Sequence, residues 1–367
     1  MAERTHSMQT SAAPALVRAL EPRRRSPMQA MADRLGLKLV TTEALTIRRR
    51  RRGQGFSYLR LDGVPVRDRA QIRRLASLAV PPAYREVLCA EDPAAHLQAI
   101  GRDVAGRLQY RYHPHWEKVR EQRKARRLMR LVDVLPKIRR SVARYLAAEE
   151  PTRELVLAAA IDLVARSGIR PGSETYARLR GTRGAATLLK SNVAVDGEVV
   201  ILSFRSKGGK VVRKEFPAPR LAAIVDLLRR LPGRRLFQYR QEDASVRAVT
   251  AREVNAFLRE IAGVKISLKD FRTLAASAAA LEMLARQAPA ASERRRRRQV
   301  LDAVRAVAED LANTPAVCRR SYVHQTIVTA FEDGVLEHFS EFICAGRSSV
   351  RREQLLARVM AITSDWE

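Results

Sequence analysis

Cysteine is scarce in this chain of 367 residues. Only Cys89, Cys318 and Cys344 occur, and no two of them form a CxxC pair. An odd number of isolated thiols argues against a disulfide framework and offers no spacing for a structural zinc site. The chain is therefore expected in a reducing, intracellular compartment.

Long apolar runs and catalytic motifs of several large enzyme classes are also missing. The most apolar stretch, ELVLAAAIDLVA at 154–165, is interrupted by Asp162 and is too short to span a membrane. The N-terminus lacks the apolar region of a secretory signal. No P-loop, HExxH, GxSxG or GxGxxG pattern occurs, and the six histidines lack metal-ligand spacing. We therefore expect a cytoplasmic protein with no membrane association and no cofactor.

Basic residues, in contrast, are abundant. The chain has 69 Lys and Arg against 39 Asp and Glu, which gives a formal net charge of +30. Such an excess predicts a polyanionic partner, and its spread along the chain favours nucleic acid over a membrane surface. Two runs of five arginines, Arg48–Arg52 and Arg294–Arg298, are interpreted as solvated basic segments, for which contact with phosphate is an open possibility.

The order of patterns along the chain predicts an α+β fold. Residues 1–38, rich in Ala, Arg, Ser and Pro, are typical of a basic mobile arm. Residues 39–118 hold short alternating stretches and an Asp62-Gly63 turn, which predict a small β-rich domain. Residues 119–367 have mainly helical patterns, interrupted at 191–216 by a predicted three-stranded meander with Lys207 at its second turn.

Several basic side chains of the helical region stand out. They are Arg170 in IRPGSETYARLR, Lys207 in FRSKGGK, and Lys269 with Arg272 in SLKDFRTLAA, a helix that Ser267 can cap. Each of them alone is most simply a surface cation in a weak ion pair. That interpretation is weaker for the set as a whole.

The stretch NTPAVCRRSYVHQ contains a tyrosine behind two arginines. Thr314 and Pro315 are favourable residues for the N-cap and first position of a helix. A continuous helix places Tyr322 on a polar flank, half-exposed with a solvated hydroxyl, beside one apolar stripe formed by Ala316, Val323, Ile327 and Ala330.

Together these stretches resemble type IB DNA topoisomerases of the small poxviral and bacterial kind. The resemblance rests on Arg170 with Tyr176 six residues later, Lys207 on a hairpin, KDFRT at 269–273 and the stretch ending in Tyr322. In addition, GRDVAGRLQYRYHPHW at 101–116 resembles the DNA-contacting strand of that family. The resemblance covers the chain from about residue 39 to its end.

The resemblance implies a monomer that relaxes supercoiled double-stranded DNA at the nucleoid, with a β-rich N-terminal and a mainly helical catalytic domain closing around DNA as a clamp. One strand is cut through a 3′-phosphotyrosyl intermediate and religated without ATP or metal. Tyr322 is implied as the nucleophile, Arg170 and Arg272 as the clamps on the phosphate, and Lys207 as the general acid. The implied DNA-binding residues are Gln109, Tyr110, Tyr112, Tyr176 and Lys269.

The chain departs from the poxviral pattern nine residues before the tyrosine, where Asn313 replaces a histidine. An asparagine can donate an N–H to a phosphate oxygen, but it stays neutral and cannot shuttle a proton. We therefore expect Asn313 to act as a hydrogen-bond donor to the phosphate and not in proton transfer.

Two other functions are considered. A tyrosine recombinase or integrase uses the same nucleophile and arginines, but Lys269 stands where recombinases usually carry a histidine. A non-enzymatic DNA-binding protein would use its arginines only to neutralise phosphates. A covalent adduct with DNA excludes the second alternative.

Overall fold

The computed structural model describes residues 26–339 and 349–364, so Cys344 lies outside the described residues. The chain divides into two compact units, Met1–Arg120 and Glu121–Glu367. The fold is α+β, with a β-rich N-terminal region followed by a mainly helical region, as predicted. No helix in the described ranges is both long and apolar enough to cross a bilayer.

A five-stranded antiparallel sheet organises the first unit, in the order β2-β1-β3-β4-β5. The Asp62-Gly63 turn after the second strand is confirmed by the hydrogen bond from Gly63 N–H to the Arg60 carbonyl, 3.0 Å long. The elements of this unit are α1 (Pro27–Arg34), β1 (Ile47–Arg52), β2 (Gly55–Arg60), α2 (Arg69–Ser77), β3 (Arg85–Cys89), β4 (Leu97–Arg102) and β5 (Leu108–Tyr112).

One face of this sheet is covered by α2, whose first turn is capped by the Asp68 carboxylate. Leu75 of α2 is buried together with alternate residues of the strands, among them Ile47, Tyr58, Val87 and Ala99. The two-residue period of the strands places these side chains on the same face. The residues between them therefore lie on the opposite face.

The prediction of a mobile arm at residues 1–38 is wrong for the last part of that segment. Residues Pro27–Arg34 form α1, with the Ser26 hydroxyl as its N-cap. Met31, Ala32 and Leu37 are buried against Trp116 and Val119. These partners are about 80 residues away in the sequence, so local composition could not reveal that this segment is anchored. Residues 1–25 of the predicted arm lie outside the described residues.

Helices dominate the second unit, and α4 forms the centre of its core. The apolar stretch at 154–165 lies in α4, where nearly every side chain is buried. The helices are α3 (Trp116–Tyr145, which crosses the boundary between the units), α4 (Arg153–Ser167), α5 (Glu174–Arg180), α6 (Pro219–Arg229), α7 (Ala251–Ala262), α8 (Leu268–Ala285), α9 (Glu293–Asp310), α10 (Pro315–Ser321), α11 (Gln325–Glu332) and α12 (Ser349–Ser364).

The predicted three-stranded meander is confirmed within this unit. Its strands are β6 (Val193–Asp196), β7 (Val199–Arg205) and β8 (Val211–Pro217), paired in sequence order. A short 3₁₀ turn, Lys207–Gly209, joins the last two strands. A separate two-stranded hairpin is formed by β9 (Gln238–Arg240) and β10 (Val246–Ala248).

Candidate active site

Tyr322 lies at a break between two helices. The predicted start of α10 is confirmed, since Thr314 Oγ1 accepts from Val317 N at 3.3 Å and Pro315 follows. The prediction of one continuous helix is wrong, because α10 ends at Ser321 and α11 begins at Gln325. The His324 imidazole caps α11 by accepting from Thr326 N at 3.2 Å.

The prediction that Tyr322 is half-exposed is also wrong. Only 8% of the residue is accessible, and its ring is part of the main core. Without a continuous helix, the ring leaves the polar flank and packs under the Arg272 guanidinium, with 4.9 Å from Cζ to the ring centroid. Lys269 Nζ lies 5.8 Å from the same centroid. Two cations therefore face the tyrosine ring.

Arg272 is fully enclosed although it carries a permanent charge. It is 1% exposed and donates to the carbonyls of Gly168 and Leu311, the latter at 3.2 Å. Among the described residues, its buried Nε has no hydrogen-bond partner. No carboxylate of these residues forms a salt bridge with this guanidinium, so its charge is stabilised by the two backbone carbonyls and the Tyr322 ring.

Arg170 comes from the loop after α4 and is half-buried beside this group. It donates to Ser206 Oγ at 3.0 Å, to the Ala312 carbonyl at 3.3 Å and to Asn313 Oδ1. Burial lowers the pKa of Arg170, and the like charge of Arg272 lowers it further, while Tyr322 acts in the opposite direction. Two neighbouring guanidinium groups without an acid between them favour a bound anion.

Asn313 is 4% exposed and is held from both sides. Its backbone N–H donates to the Ala308 carbonyl at 2.8 Å, and its own carbonyl accepts from Lys210 Nζ. Because Oδ1 accepts from Arg170, the amide nitrogen Nδ2 is the free end of the side chain. This buried Nδ2 has no partner among the described residues. The side chain therefore keeps its amide N–H donors available for a ligand.

The two remaining lysines of the predicted set are exposed. Lys207 stands on the turn between β7 and β8, where Gly208 has φ 82° and Lys207 Nζ lies 5.6 Å from the Tyr176 ring centroid. Among the described residues, no hydrogen bond or ion pair joins Lys207 to Arg170, Arg272 or Tyr322, but its neighbour Ser206 contacts Arg170 directly.

The predicted N-terminus of α8, which carries Lys269 and Arg272, is confirmed. The Asp270 carboxylate accepts from Ser267 N at 2.8 Å, and Arg127 of α3 donates to the same carboxylate at 2.7 Å. This arrangement fixes the first turn of the helix, and with it the direction of both cations.

Sequence reasoning missed the residues that hold the chain around Tyr322. The Ser277 hydroxyl donates to the Tyr322 carbonyl at 3.0 Å and accepts from His324 N at 3.3 Å. Lys124 donates to the Val323 carbonyl at 3.1 Å. Ser277 comes five residues after Arg272, and Lys124 lies in the basic helix α3, so neither position has a local signal for this role.

In the first unit, β5 carries the three residues predicted to contact DNA. Tyr110 is 47% and Tyr112 41% exposed, and their rings stack with centroids 6.1 Å apart. Gln109 donates to Asp103 Oδ2 at 3.0 Å. Exposed, stacked aromatic rings on one edge strand form a surface that is available to a ligand.

The family profile described as "Eukaryotic DNA topoisomerase I, catalytic core" matches residues 113–341, which is more than half of the chain. A second profile, "Bacterial DNA topoisomerase IB, N-terminal domain", matches residues 55–103. The fold, the enclosed tyrosine and arginines and these matches define an enzyme of the isomerase class. The chain belongs to the type IB DNA topoisomerase family.

A similar protein is known from a virus. The "DNA topoisomerase 1B" of Acanthamoeba polyphaga mimivirus is 29% identical over 288 residues. The matched region covers 76% of this chain and 84% of the viral protein.

Proposed function

We propose that this enzyme relaxes supercoiled duplex DNA by cutting one strand through Tyr322, allowing the duplex to rotate and resealing the strand. The phenolic oxygen of Tyr322 attacks a phosphodiester to form a 3′-phosphotyrosyl ester and release a 5′-hydroxyl. The observation that supports this proposal most strongly is the group of Tyr322, Arg170, Arg272 and Asn313, in which the buried Arg272 Nε and Asn313 Nδ2 have no hydrogen-bond partner among the described residues.

The charges of the reaction explain why this group suits a phosphate. In the transition state, negative charge accumulates on two non-bridging oxygens of the phosphodiester. The guanidinium forks of Arg170 and Arg272 match that geometry. The free Nδ2 of Asn313 supplies a third donor, whose loss typically slows such reactions about 10²–10³-fold. Fixed protein groups thereby supply the stabilisation that other enzymes obtain from a metal.

Lys207 is proposed as the acid that protonates the departing 5′-oxygen. Expulsion of an alkoxide is slow at neutral pH, and general acids typically accelerate such steps about 10²–10⁴-fold. Its position on a turn with two glycines of positive φ, Gly208 and Gly209, allows the ammonium group to reach the substrate after DNA binds.

Resealing requires no ATP, because the phosphotyrosyl ester conserves the energy of the cleaved bond for attack by the 5′-hydroxyl. Gln109, Tyr110 and Tyr112 are proposed to contact the major groove, and Tyr176 and Lys269 to support the cleavage site. The steps need neither nucleotide nor divalent metal.

A plasmid assay in EDTA tests this function. The purified protein is expected to relax positive and negative supercoils without nucleotide, and denaturation during the reaction is expected to trap DNA covalently on Tyr322. Tyr322→Phe serves as the control, which should bind DNA and form no adduct. Strict dependence on magnesium or ATP, or an adduct mapped to Tyr110, Tyr112 or Tyr176, would refute the proposal.

A further inference from the structure

The five arginines of β1 are distributed over the two faces of the sheet. Side chains alternate between the faces of a strand, so Arg48, Arg50 and Arg52 share one face, and Arg49 and Arg51 share the other. Arg49 is a structural residue, since it donates to the carbonyls of Val80, Pro81 and Tyr84 and stacks on Phe56 at 4.1 Å.

Unlike Arg49, the side chains of the first set have no acceptor among the described residues, and Arg51, which is also exposed, lies on the other face of the sheet. Arg48, Arg50 and Arg52 are exposed, and no hydrogen bond or ion pair of their side chains is present in the described ranges. The acids of the neighbouring strands and loops already have other partners. Lys38–Asp92, Arg60–Glu91, Arg102–Glu86 and Arg107–Asp103 are the ion pairs concerned, all between 2.7 and 2.9 Å long. Three positive charges therefore remain uncompensated along one strand.

These charges lie on the same face of the sheet as the exposed tyrosines. The strand register pairs Arg48 with Leu88, Leu88 with Ile100, and Ile100 with Tyr110, which forms one row across β1, β3, β4 and β5. Because paired residues point to the same side of a sheet, Arg48 and Tyr110 share a face. The other face is the one covered by α2.

We propose that Arg48, Arg50 and Arg52 form a row that binds the phosphate backbone of duplex DNA; this inference rests on the proposed contact of β5 with the major groove. Strands β1 and β5 are three spacings apart, about 14 Å, and the major groove is about 12 Å wide. A duplex whose groove receives Tyr110 and Tyr112 therefore presents a flanking phosphate strand to β1.

The length of the row also fits a phosphate strand. Alternate residues of a strand are about 6.7 Å apart, so the row extends about 13 Å from Arg48 to Arg52. Phosphates of one DNA strand rise about 3.4 Å per step, and about four steps lie within that length. Phosphate contacts of this kind fix the position of the protein on DNA without selecting a sequence.

Salt-dependent binding tests the row. The full chain carrying Tyr322→Phe is titrated with a short duplex between 50 and 200 mM salt, alone and with Arg48→Gln, Arg50→Gln and Arg52→Gln combined. Each lost phosphate contact lowers the slope of log K against log salt by about 0.9, so a reduction of about 2.7 is expected. Between 50 and 200 mM salt, the fold-loss of affinity of the triple variant should therefore be about 40 times smaller than that of its parent.

A matched control removes three exposed arginines from the α2 side of the same unit, through Arg67→Gln, Arg69→Gln and Arg73→Gln. The slope of log K against log salt for this variant should differ from that of the parent by less than about 0.9, which is the contribution of one phosphate contact. An unchanged slope for the β1 variant, or an equal reduction in both variants, overturns the proposal. Binding needs no covalent step. If the arginine row does not contact phosphate, the salt slope stays unchanged, whereas if Tyr322 is not the nucleophile, the covalent adduct is missing or lies on another residue.

Discussion

At the scale of single residues, the candidate site depends on donors that the protein leaves unused. Arg272 Nε and Asn313 Nδ2 are buried and have no partner in the part of the chain that the structure describes, although a buried unsatisfied donor typically costs about 1–3 kcal/mol. The fold retains this cost at the place where Tyr322 is enclosed. Under the proposed function, this cost would be recovered when a phosphate accepts the hydrogen bonds, so that binding and stabilisation of the substrate would use the same groups.

Asn313→Ala is expected to slow cleavage and religation together by about 10²–10³-fold, because one preorganised donor to the phosphate is lost. Asn313→Asp is the sharper control, since it keeps the oxygen that accepts from Arg170 and lacks the N–H. Both variants should be slow in single-turnover cleavage, whereas Asn313→His should recover much of the rate. If Ala is as fast as wild type with an unchanged melting temperature, Asn313 does not contact the phosphate.

Lys207→Ala is expected to slow cleavage of ordinary DNA about 10²–10⁴-fold, and much less when the leaving 5′-oxygen is replaced by sulfur, which departs without a proton. Lys210→Ala is the matched control on the same turn. Lys210 donates to the Asn313 carbonyl, so its loss should slow both substrates equally. Equal losses for both substrates with Lys207→Ala would contradict its role as the acid.

At the scale of elements, the sequence predicted what is local and missed what is distant. The meander, the start of α10 and the capped start of α8 were predicted because turn and cap residues lie next to the structures they determine. The end of α10 was missed because apolar periodicity continues through Tyr322 although the helix does not. The contacts of Ser206 with Arg170 and of Ser277 with Tyr322 were unpredictable, since they join residues 36 and 45 positions apart.

The loop that carries Arg170 gives an element-scale prediction. A Cβ on Gly184 would lie 2.5 Å from the Arg170 carbonyl oxygen and 2.5 Å from Gly172 N, so Gly184→Ala must displace this backbone. We expect cleavage to fall by about 10²-fold, the effect of about 1 Å of misplacement, with a loss of about 1–3 kcal/mol in stability.

Gly181→Ala provides the control on the loop after α5, which also carries Gly184. Gly181 has φ 63° and open space around its Cβ position, so the substitution adds only backbone strain of about 1–2 kcal/mol. Cleavage rates are measured with saturating DNA, at a temperature below the melting temperatures of both variants. They separate the displacement of Arg170 from the loss of stability. Equal cleavage rates for the two variants would show that the Gly184 contact does not position Arg170.

At the scale of the whole molecule, the described residues place one buried thiol in each compact unit. Burial raises the pKa of Cys89 in the first unit and of Cys318 in the second to about 11, from an ordinary value of 9.0. Nearby cations oppose this shift but do not overcome it: Arg49 and Arg74 at Cys89, and Arg272 and Lys124 at Cys318. Both thiols therefore stay protonated and enclosed at neutral pH, where a thiolate is needed for reaction.

We expect Cys89 and Cys318 to resist alkylation at pH 8 until their units unfold. The folded state favours the neutral thiols, so their contribution to stability is complete below pH 9 and declines between pH 9 and about 11. Mass spectrometry of peptides labelled along a denaturant series measures both sites separately. Rapid labelling of either thiol in native protein at pH 8 would contradict this expectation.

The break between α10 and α11 has a mechanical consequence if Tyr322 carries the DNA end as proposed. While the duplex swivels, torque passes through a single ester into the backbone at this junction. That backbone is tied at Tyr322 to Ser277 of α8 and at Val323 to Lys124 of α3. The load is thus shared by two long helices, and the ester stays in register with Arg272 on α8 until the strand end returns.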